Sequence, residues 1–286
     1  MTIPVLSGLG PLAPRFGGFL LDLWGVVHNG HEPYRHAVEC MRRLRAGGKV
    51  LLLSNAPRRP EAVRQQLDRI GVARDAYDDV LTSGELTRRA LAAGADGIVG
   101  KRYFRIGPER DWGLLEDLDF AAVPDIAAAE FVLCTGLNDD ESETPADYAK
   151  LLAVAAARRL PLVCANPDLT VMRGPKRIFC AGAIAAAYEA QGGVAHYHGK
   201  PHAGAYVACR ALLGLPASRL LAVGDSLRTD IAGAVYAGIA SVLVAGGIHA
   251  EEWGLAPGET PRADKLAAAC EQAGVRPGAV LAELRW

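Results

Sequence analysis

The stretch Phe19-Leu20-Leu21-Asp22-Leu23-Trp24-Gly25-Val26-Val27 decides how the rest of the chain is read. An apolar run ending in a carboxylate has the composition of a buried parallel strand, and in open α/β sheets ligands bind at the carboxyl ends of such strands. Far downstream, Leu220-Leu221-Ala222-Val223 repeats the pattern and ends in Gly224-Asp225-Ser226-Leu227-Arg228-Thr229-Asp230. Two carboxylates delivered to one sheet edge describe an anionic pocket. Neighbouring like charges disfavour joint ionisation, so the pocket is expected to share a hard cation such as Mg²⁺.

Asp22 reads either as a nucleophile able to form an acyl phosphate or as a turn or helix-capping aspartate. Ser54-Asn55 closes a second apolar run, Val50 to Leu53. A hydroxyl, an amide and free N–H groups at a strand end can cradle phosphate oxygens, although an ordinary helix-entry loop has the same composition. Lys200, in Gly199-Lys200-Pro201, follows a third strand over 195–198. Its ammonium could neutralise both a phosphate and Asp22, whereas most lysines are simply solvated. Asp225 is placed to ligate the cation. Asp230 either holds Lys200, acts through water, or opposes the macrodipole of a first helical turn.

Outward from these points, strand and helix alternate. Pro33 precedes a helix whose apolar face carries Ala37, Val38, Met41 and Leu44, and Pro60 opens another with Val63, Leu67 and Ile70. That rhythm indicates parallel βαβ units and a doubly wound, Rossmann-like α/β core. From Ser83 the rhythm continues away from the first sheet: a helix over 85–93, strands over 103–106, 131–134 and 162–165, and a helix from Pro145 to about Arg159. The acidic stretch 109–125 reads as looser chain. A break at Arg173-Gly174-Pro175 precedes an Ala-rich helix over 182–189. The expected division is residues 1–83 for the first part of the core, 84–181 for an inserted smaller α/β cap domain, and 182–286 for the second part of the core.

With 50% hydrophobic and 22% charged residues among 286, the chain has the composition of a soluble globular enzyme. A net charge of -1 makes no electrostatic case for nucleic acid or an anionic membrane surface. No basic region followed by an apolar core opens the chain, and no apolar run approaches the roughly twenty residues of a membrane span. Six scattered cysteines without a Cys-x-x-Cys pair suggest small buried hydrophobes in a reducing, cytoplasmic setting. His196 and His198 share one face of a strand and could ligate a transition metal, but no third ligand accompanies them in the sequence. Gly246-Gly247 either borders the pocket or forms a turn.

Four segments in order, each at a strand end, resemble the haloacid dehalogenase superfamily, and more narrowly its class IIA, whose cap lies between the second and third motifs. They are Asp22-Leu23-Trp24-Gly25-Val26, Leu53-Ser54-Asn55, Gly199-Lys200-Pro201 and Gly224-Asp225 through Asp230. Ala165-Asn166-Pro167-Asp168 resembles the class's Asn-Pro-Asp segment, and Cys180-Ala181-Gly182-Ala183 its return to the core. The resemblance covers nearly the whole chain. It implies a hydrolase of a small phosphorylated metabolite, with Asp22 as nucleophile and metal ligand. The backbone carbonyl of Trp24 and the carboxylate of Asp225 would complete the Mg²⁺ ligands. Ser54, Asn55 and Lys200 would hold the phosphoryl group, and Asn166 and Asp168 would lie at the cap–core junction, near substrate or as a plain turn. A homo-oligomer is left open.

One position departs from that family. Its phosphatases carry a second aspartate two residues after the nucleophile, which protonates the leaving oxygen and then activates water. Here the position is Trp24, which cannot transfer a proton, and losing a general acid costs about 10²–10⁴ in rate. Three readings follow: a phosphatase with a good leaving group or another proton source, His28 being the nearest candidate; displacement at carbon, as in the family's haloacid dehalogenases; or a weakly active or non-catalytic phospho-ligand-binding protein.

Overall fold

The computed structural model describes residues 2–98, 100–174 and 176–286, so the Pro175 of the expected break lies outside the described residues. In chain order the strands are β1 (Gly18–Leu21), β2 (Lys49–Ser54), β3 (Asp79–Thr82), β4 (Arg102–Ile106), β5 (Ala121–Val123), β6 (Phe131–Cys134), β7 (Leu162–Cys164), β8 (Thr170–Arg173), β9 (Lys176–Phe179), β10 (Ala195–Tyr197), β11 (Leu220–Gly224), β12 (Ala240–Val244) and β13 (Ala279–Leu281). They form a six-stranded sheet ordered β13-β12-β11-β1-β2-β3, a five-stranded sheet ordered β10-β7-β6-β4-β5, and the hairpin β8-β9.

Every pairing within the two large sheets is parallel. The first sheet explains its apolar strands. All residues of β1 and β11 are buried, because helices cover both faces. One face packs Leu21, Val50, Leu52 and Val223 against the helix Ala37–Gly47; the other packs Leu20, Leu51 and Ala222 against the helix Ala203–Leu213. From β1 the chain winds outward through β2 and β3, and from β11 outward through β12 and β13. The winding reverses between β1 and β11, the crevice where doubly wound sheets bind ligands.

The second sheet is also sandwiched. The helices Ala149–Ala157 and Ala181–Glu189 bury Leu152, Ile184 and Tyr188 on one face, while Leu91, Leu114 and Leu115 pack on Phe131 and Leu133 at the other. This moves the expected return to the core. Residues 182–197 belong with the second sheet, since Ala195–Tyr197 pairs with Leu162–Cys164 and Tyr188 Oη donates to the Leu160 carbonyl at 2.5 Å. An alanine-rich helix is apolar on every side, so its composition did not say which sheet it covers. The stretch 109–125 is also more ordered than expected, holding a helical turn, Glu109–Leu115, and β5. Strands β3, β8, β9 and β13 and the helix Ala263–Ala273 were not anticipated. Among the described residues, no helix is long and apolar enough to cross a membrane.

Candidate active site

Strand register places the site. Leu21 is level with Val223 on one side and Leu52 on the other, so Asp22 leaves β1 beside Gly224 and Leu53, next to Asp225 and Ser54. Gly25 turns the chain at φ +75°, and a Cβ there would lie 2.0 Å from Asp225 Oδ2. Only glycine lets the first loop pass so close to the second carboxylate.

Lys200 is 2% exposed, with its Nζ 2.6 Å from Asp22 Oδ1 and 2.8 Å from Asp230 Oδ1. Its backbone is clamped by Asn55, whose Oδ1 accepts from the Lys200 N–H at 2.8 Å while Nδ2 donates to the Lys200 carbonyl at 3.0 Å. Gly199, at φ +123°, makes room for that clamp, since a Cβ there would sit 2.5 Å from Asn55 Oδ1. Asn55 Nδ2 also donates to Asp168 Oδ1 at 2.9 Å. Both ends of this amide are therefore engaged, and the Asn55 side chain positions Lys200. Ser54 Oγ accepts from the Ala56 N–H at 3.2 Å and keeps its own proton to donate.

One carboxyl oxygen from each of Asp22, Asp225 and Asp230 lies within 4.8 Å of the others. Asp225 Oδ2 accepts from the Ile248 N–H at 2.7 Å, and Asp230 Oδ2 from the Ser226 N–H at 3.2 Å. Burial, and then the nearby Asp230, pushes the Asp22 carboxyl up to about 7 despite Lys200. Burial and the charges of Asp22 and Asp230 hold Asp225 well above the usual carboxylate range. For Lys200, burial alone would depress the ammonium; Asp22, Asp230 and Asp168 overcome it and hold the group well above its ordinary value. One ammonium thus faces a cluster of buried oxygens with excess negative charge. Hard, anionic oxygen donors in that number fit Mg²⁺ or Ca²⁺.

Above these groups lies a cavity of about 400 Å³, with Asp22, Asp225 and Gly247 at its base and Trp24 and Tyr34 at its side. The cap roofs it with Asp168 and the β8–β9 hairpin, including Met172 and Arg177. Arg177 Nη2 comes within 3.7 Å of Glu251 Oε2 of the core, so the hairpin and the short helix Ala250–Trp253 meet beside the cavity. The sequence signal for this roof was the alternation Thr170-Val171-Met172 and Arg177-Ile178-Phe179 around Gly174, a hairpin pattern read only as a break. Tyr34 also lines the cavity, with no motif around it to mark the position. Gly246-Gly247 does border the cavity.

Asn166 falls outside it. Its Oδ1 accepts from the Asp168 N–H at 3.0 Å, an Asx turn that orients Asp168, and this side chain does not line the cavity. His28 cannot supply the missing proton. It is 1% exposed beneath Trp24, ring centroids 5.0 Å apart, with Nδ1 accepting from the Gly30 N–H at 3.0 Å. Burial pushes its pKa down to about 4, leaving it neutral. His196 and His198 find a carboxylate partner in Asp96, with His198 Nε2 2.8 Å from Oδ2 and His196 Nδ1 3.7 Å from Oδ1. Among the described residues, the one group arranged to hold a metal is Asp22, Asp225 and Asp230.

A family model described as haloacid dehalogenase-like hydrolase matches residues 19–121, and a second, HAD-hydrolase-like, matches residues 197–273. A haloacid dehalogenase-like hydrolase from Brucella suis 1330 superposes with a TM-score of 0.84 at 37% identity, covering 98% of this chain and 99% of that one. The sugar-phosphatase AraL of Bacillus subtilis is 28% identical over 239 residues, 82% of this chain and 84% of its own. A glycerol phosphate phosphatase from Mycobacterium tuberculosis in complex with magnesium superposes with a TM-score of 0.66 at 26% identity, over 82% of this chain and 69% of that one.

Proposed function

The chain belongs to the haloacid dehalogenase-like hydrolases, and from that premise we propose that it is a Mg²⁺-dependent phosphatase of a small phosphorylated metabolite, acting through an aspartyl-phosphate at Asp22. The observation that carries this reading is the convergence of Asp22, Lys200, Asp225 and Asp230 on one buried point below a roofed cavity. Asp22, Asp225 and the Trp24 carbonyl would hold Mg²⁺, with Asp230 fixing Lys200. A cation held there would neutralise charge on the phosphoryl oxygens.

The chain's own groups do the rest. Lys200 sets the orientation of the Asp22 carboxylate and offers positive charge to the phosphoryl oxygens. Ser54 Oγ has a proton free for the same oxygens. The Asp22 oxygen that is not paired with Lys200 attacks phosphorus, the ester oxygen leaves, and water later cleaves the acyl phosphate. The roof limits the substrate to a small molecule and keeps bulk water from the intermediate. The free, buried cysteines support a reducing, cytoplasmic setting.

Displacement at carbon needs no cation, so the three clustered carboxylates speak against it. Trp24 favours a second reading, a phospho-ligand-binding protein with little turnover. The test is phosphate release by the purified protein from alkyl, aryl and acyl phosphates, with Mg²⁺ and with EDTA. Mg²⁺-dependent release that Asp22→Asn lowers by about 10⁴ or more is expected. Equal background in both proteins, with a phosphate ester still bound, would establish the binding reading instead.

A further inference from the structure

In-line displacement fixes where a proton donor must stand. Attack from Asp22, at the sheet edge, expels the ester oxygen on the far side of phosphorus. The cap residues that line this cavity are Asp168 and the β8–β9 hairpin, and among them Asp168 carries the one carboxyl. Asn55 holds Asp168 by Oδ1 alone, at 2.9 Å, and among the described residues no donor reaches Oδ2. The Asx turn from Asn166 fixes the backbone that carries it. The other ionisable groups nearby are already engaged or too weak. His28 is buried beneath Trp24. His249 has Nδ1 3.2 Å from Glu252 and Nε2 accepting from the Leu227 N–H at 3.4 Å, so both ring nitrogens are committed. Tyr34 lines the cavity, but burial and Asp225 push its phenol up, which makes it a poorer acid.

We propose that Asp168, carried by the cap, takes over the acid–base role that Trp24 cannot perform; this rests on the phosphatase reading above. As the Asp22–phosphorus bond forms and the ester bond breaks, the departing oxygen takes the proton of the Asp168 carboxyl. The resulting carboxylate then removes a proton from the water that attacks the aspartyl-phosphate, releasing inorganic phosphate and restoring both side chains. The charges facing Asp168 are consistent with a carboxyl that carries the proton in the resting protein. Burial raises it, Lys200, Asn55 and Arg228 oppose that, and Asp230 adds to it. Because the donor belongs to the cap, proton transfer is available only when the cap is seated.

The test compares two esters in the full-length protein with Mg²⁺: glycerol phosphate, whose alkoxide needs a proton, and nitrophenyl phosphate, whose phenolate leaves without one. Asp168→Asn keeps an acceptor for Asn55, so the clamp on Lys200 survives. It is expected to lower kcat for the alkyl ester about 10²–10⁴-fold, at least ten times its effect on the aryl ester, and to remove the basic limb of the pH profile. Trp24→Asp restores a donor, so adding Asp168→Asn to it should cost the alkyl ester less than tenfold. Tyr34→Phe is expected to affect both esters alike. Equal losses on the two esters in Asp168→Asn, with the wild-type protein active, overturn this role alone. No turnover of either ester by the wild-type protein overturns the phosphatase reading and this role with it.

Discussion

Two charged clusters in this molecule resolve the same problem in opposite ways. In the cap, Asp140 is paired with both Arg110 and Arg173, and Glu141 with Arg173 and Lys176, at 2.8 and 2.6 Å for the latter pairs. Three bases face two acids, so each carboxylate is compensated, and the Asp140 and Glu141 carboxyls sit below their usual range. At the site, Asp22, Asp225 and Asp230 share one ammonium, and Asp22 and Asp225 sit above theirs. The compensated cluster needs no further ion to hold its carboxylates. The unbalanced one is a standing cost unless a cation or a proton completes it, and such costs gather where binding and chemistry occur. His28 shows a third resolution: buried, with no charged partner among the described residues, it stays neutral.

This contrast can be broken by experiment, beginning with the largest expected effect. Lys200→Met leaves Asp22 and Asp230 without their counter-ion and is expected to cost about 3–5 kcal/mol at pH 8 in the metal-free protein. Urea unfolding at pH 5 should show a smaller loss, because the Asp22 carboxyl is then protonated. Acid should act on His28 next. Its folded pKa lies near 4 and its ordinary value at 6.5, so the unfolded chain takes the proton first. Stability is complete above pH 6.5 and falls by about 3 kcal/mol on the way to pH 4, and His28→Asn should flatten that limb in thermal melts.

Metal addition probes the excess charge directly. Mg²⁺ at a hundred times its Kd should stabilise the protein by about 2.7 kcal/mol. The Asp22 and Asp225 carboxyls are raised in the metal-free state, so native stability there is lost as pH climbs above the ordinary carboxylate range, for Asp22 through about 7. The Tm gain on adding Mg²⁺ should therefore be larger at pH 8 than at pH 5, and calorimetry showing no such trend would contradict the charge imbalance. Asp225→Asn should abolish the gain while raising metal-free stability at pH 8 by about 1–2 kcal/mol. The smallest effect belongs to the compensated cluster. Asp140→Asn is expected to cost about 1 kcal/mol, with no change in the response to Mg²⁺.

Much of this arrangement was legible in the residues. Apolar runs that end in Asp22, Ser54 and Asp225 announce their own strand ends, because a parallel strand covered on both faces admits few polar residues before its terminus. Lys200 was legible for a different reason, its place in an ordered set of motifs. The roof was not legible. The four-residue strands of the β8–β9 hairpin carry a weak alternation, and nothing in it says that it folds over the site. The strand Ala195–Tyr197 is too short for its composition to name a partner, which is why the cap boundary was set too early. Asn55 stands out in the sequence as a strand-end amide, yet what that amide binds, Lys200 and Asp168, depends on groups far along the chain.

The sequence by itself determined the two sheets' alternating rhythm, the family, and the set of side chains able to meet at one point, since burial patterns and strand-end chemistry are local properties. Only the tertiary structure decided which carboxylate pairs with Lys200, that Asn55 clamps its backbone, that His28 is locked neutral, and that Asp168 faces the cavity from the cap. Apart from the local turn around His28, these join distant segments: Lys200 and Asp22 stand 178 positions apart and Lys200 and Asn55 145. Their energies depend on burial and on distances of a few ångströms, which no local pattern encodes.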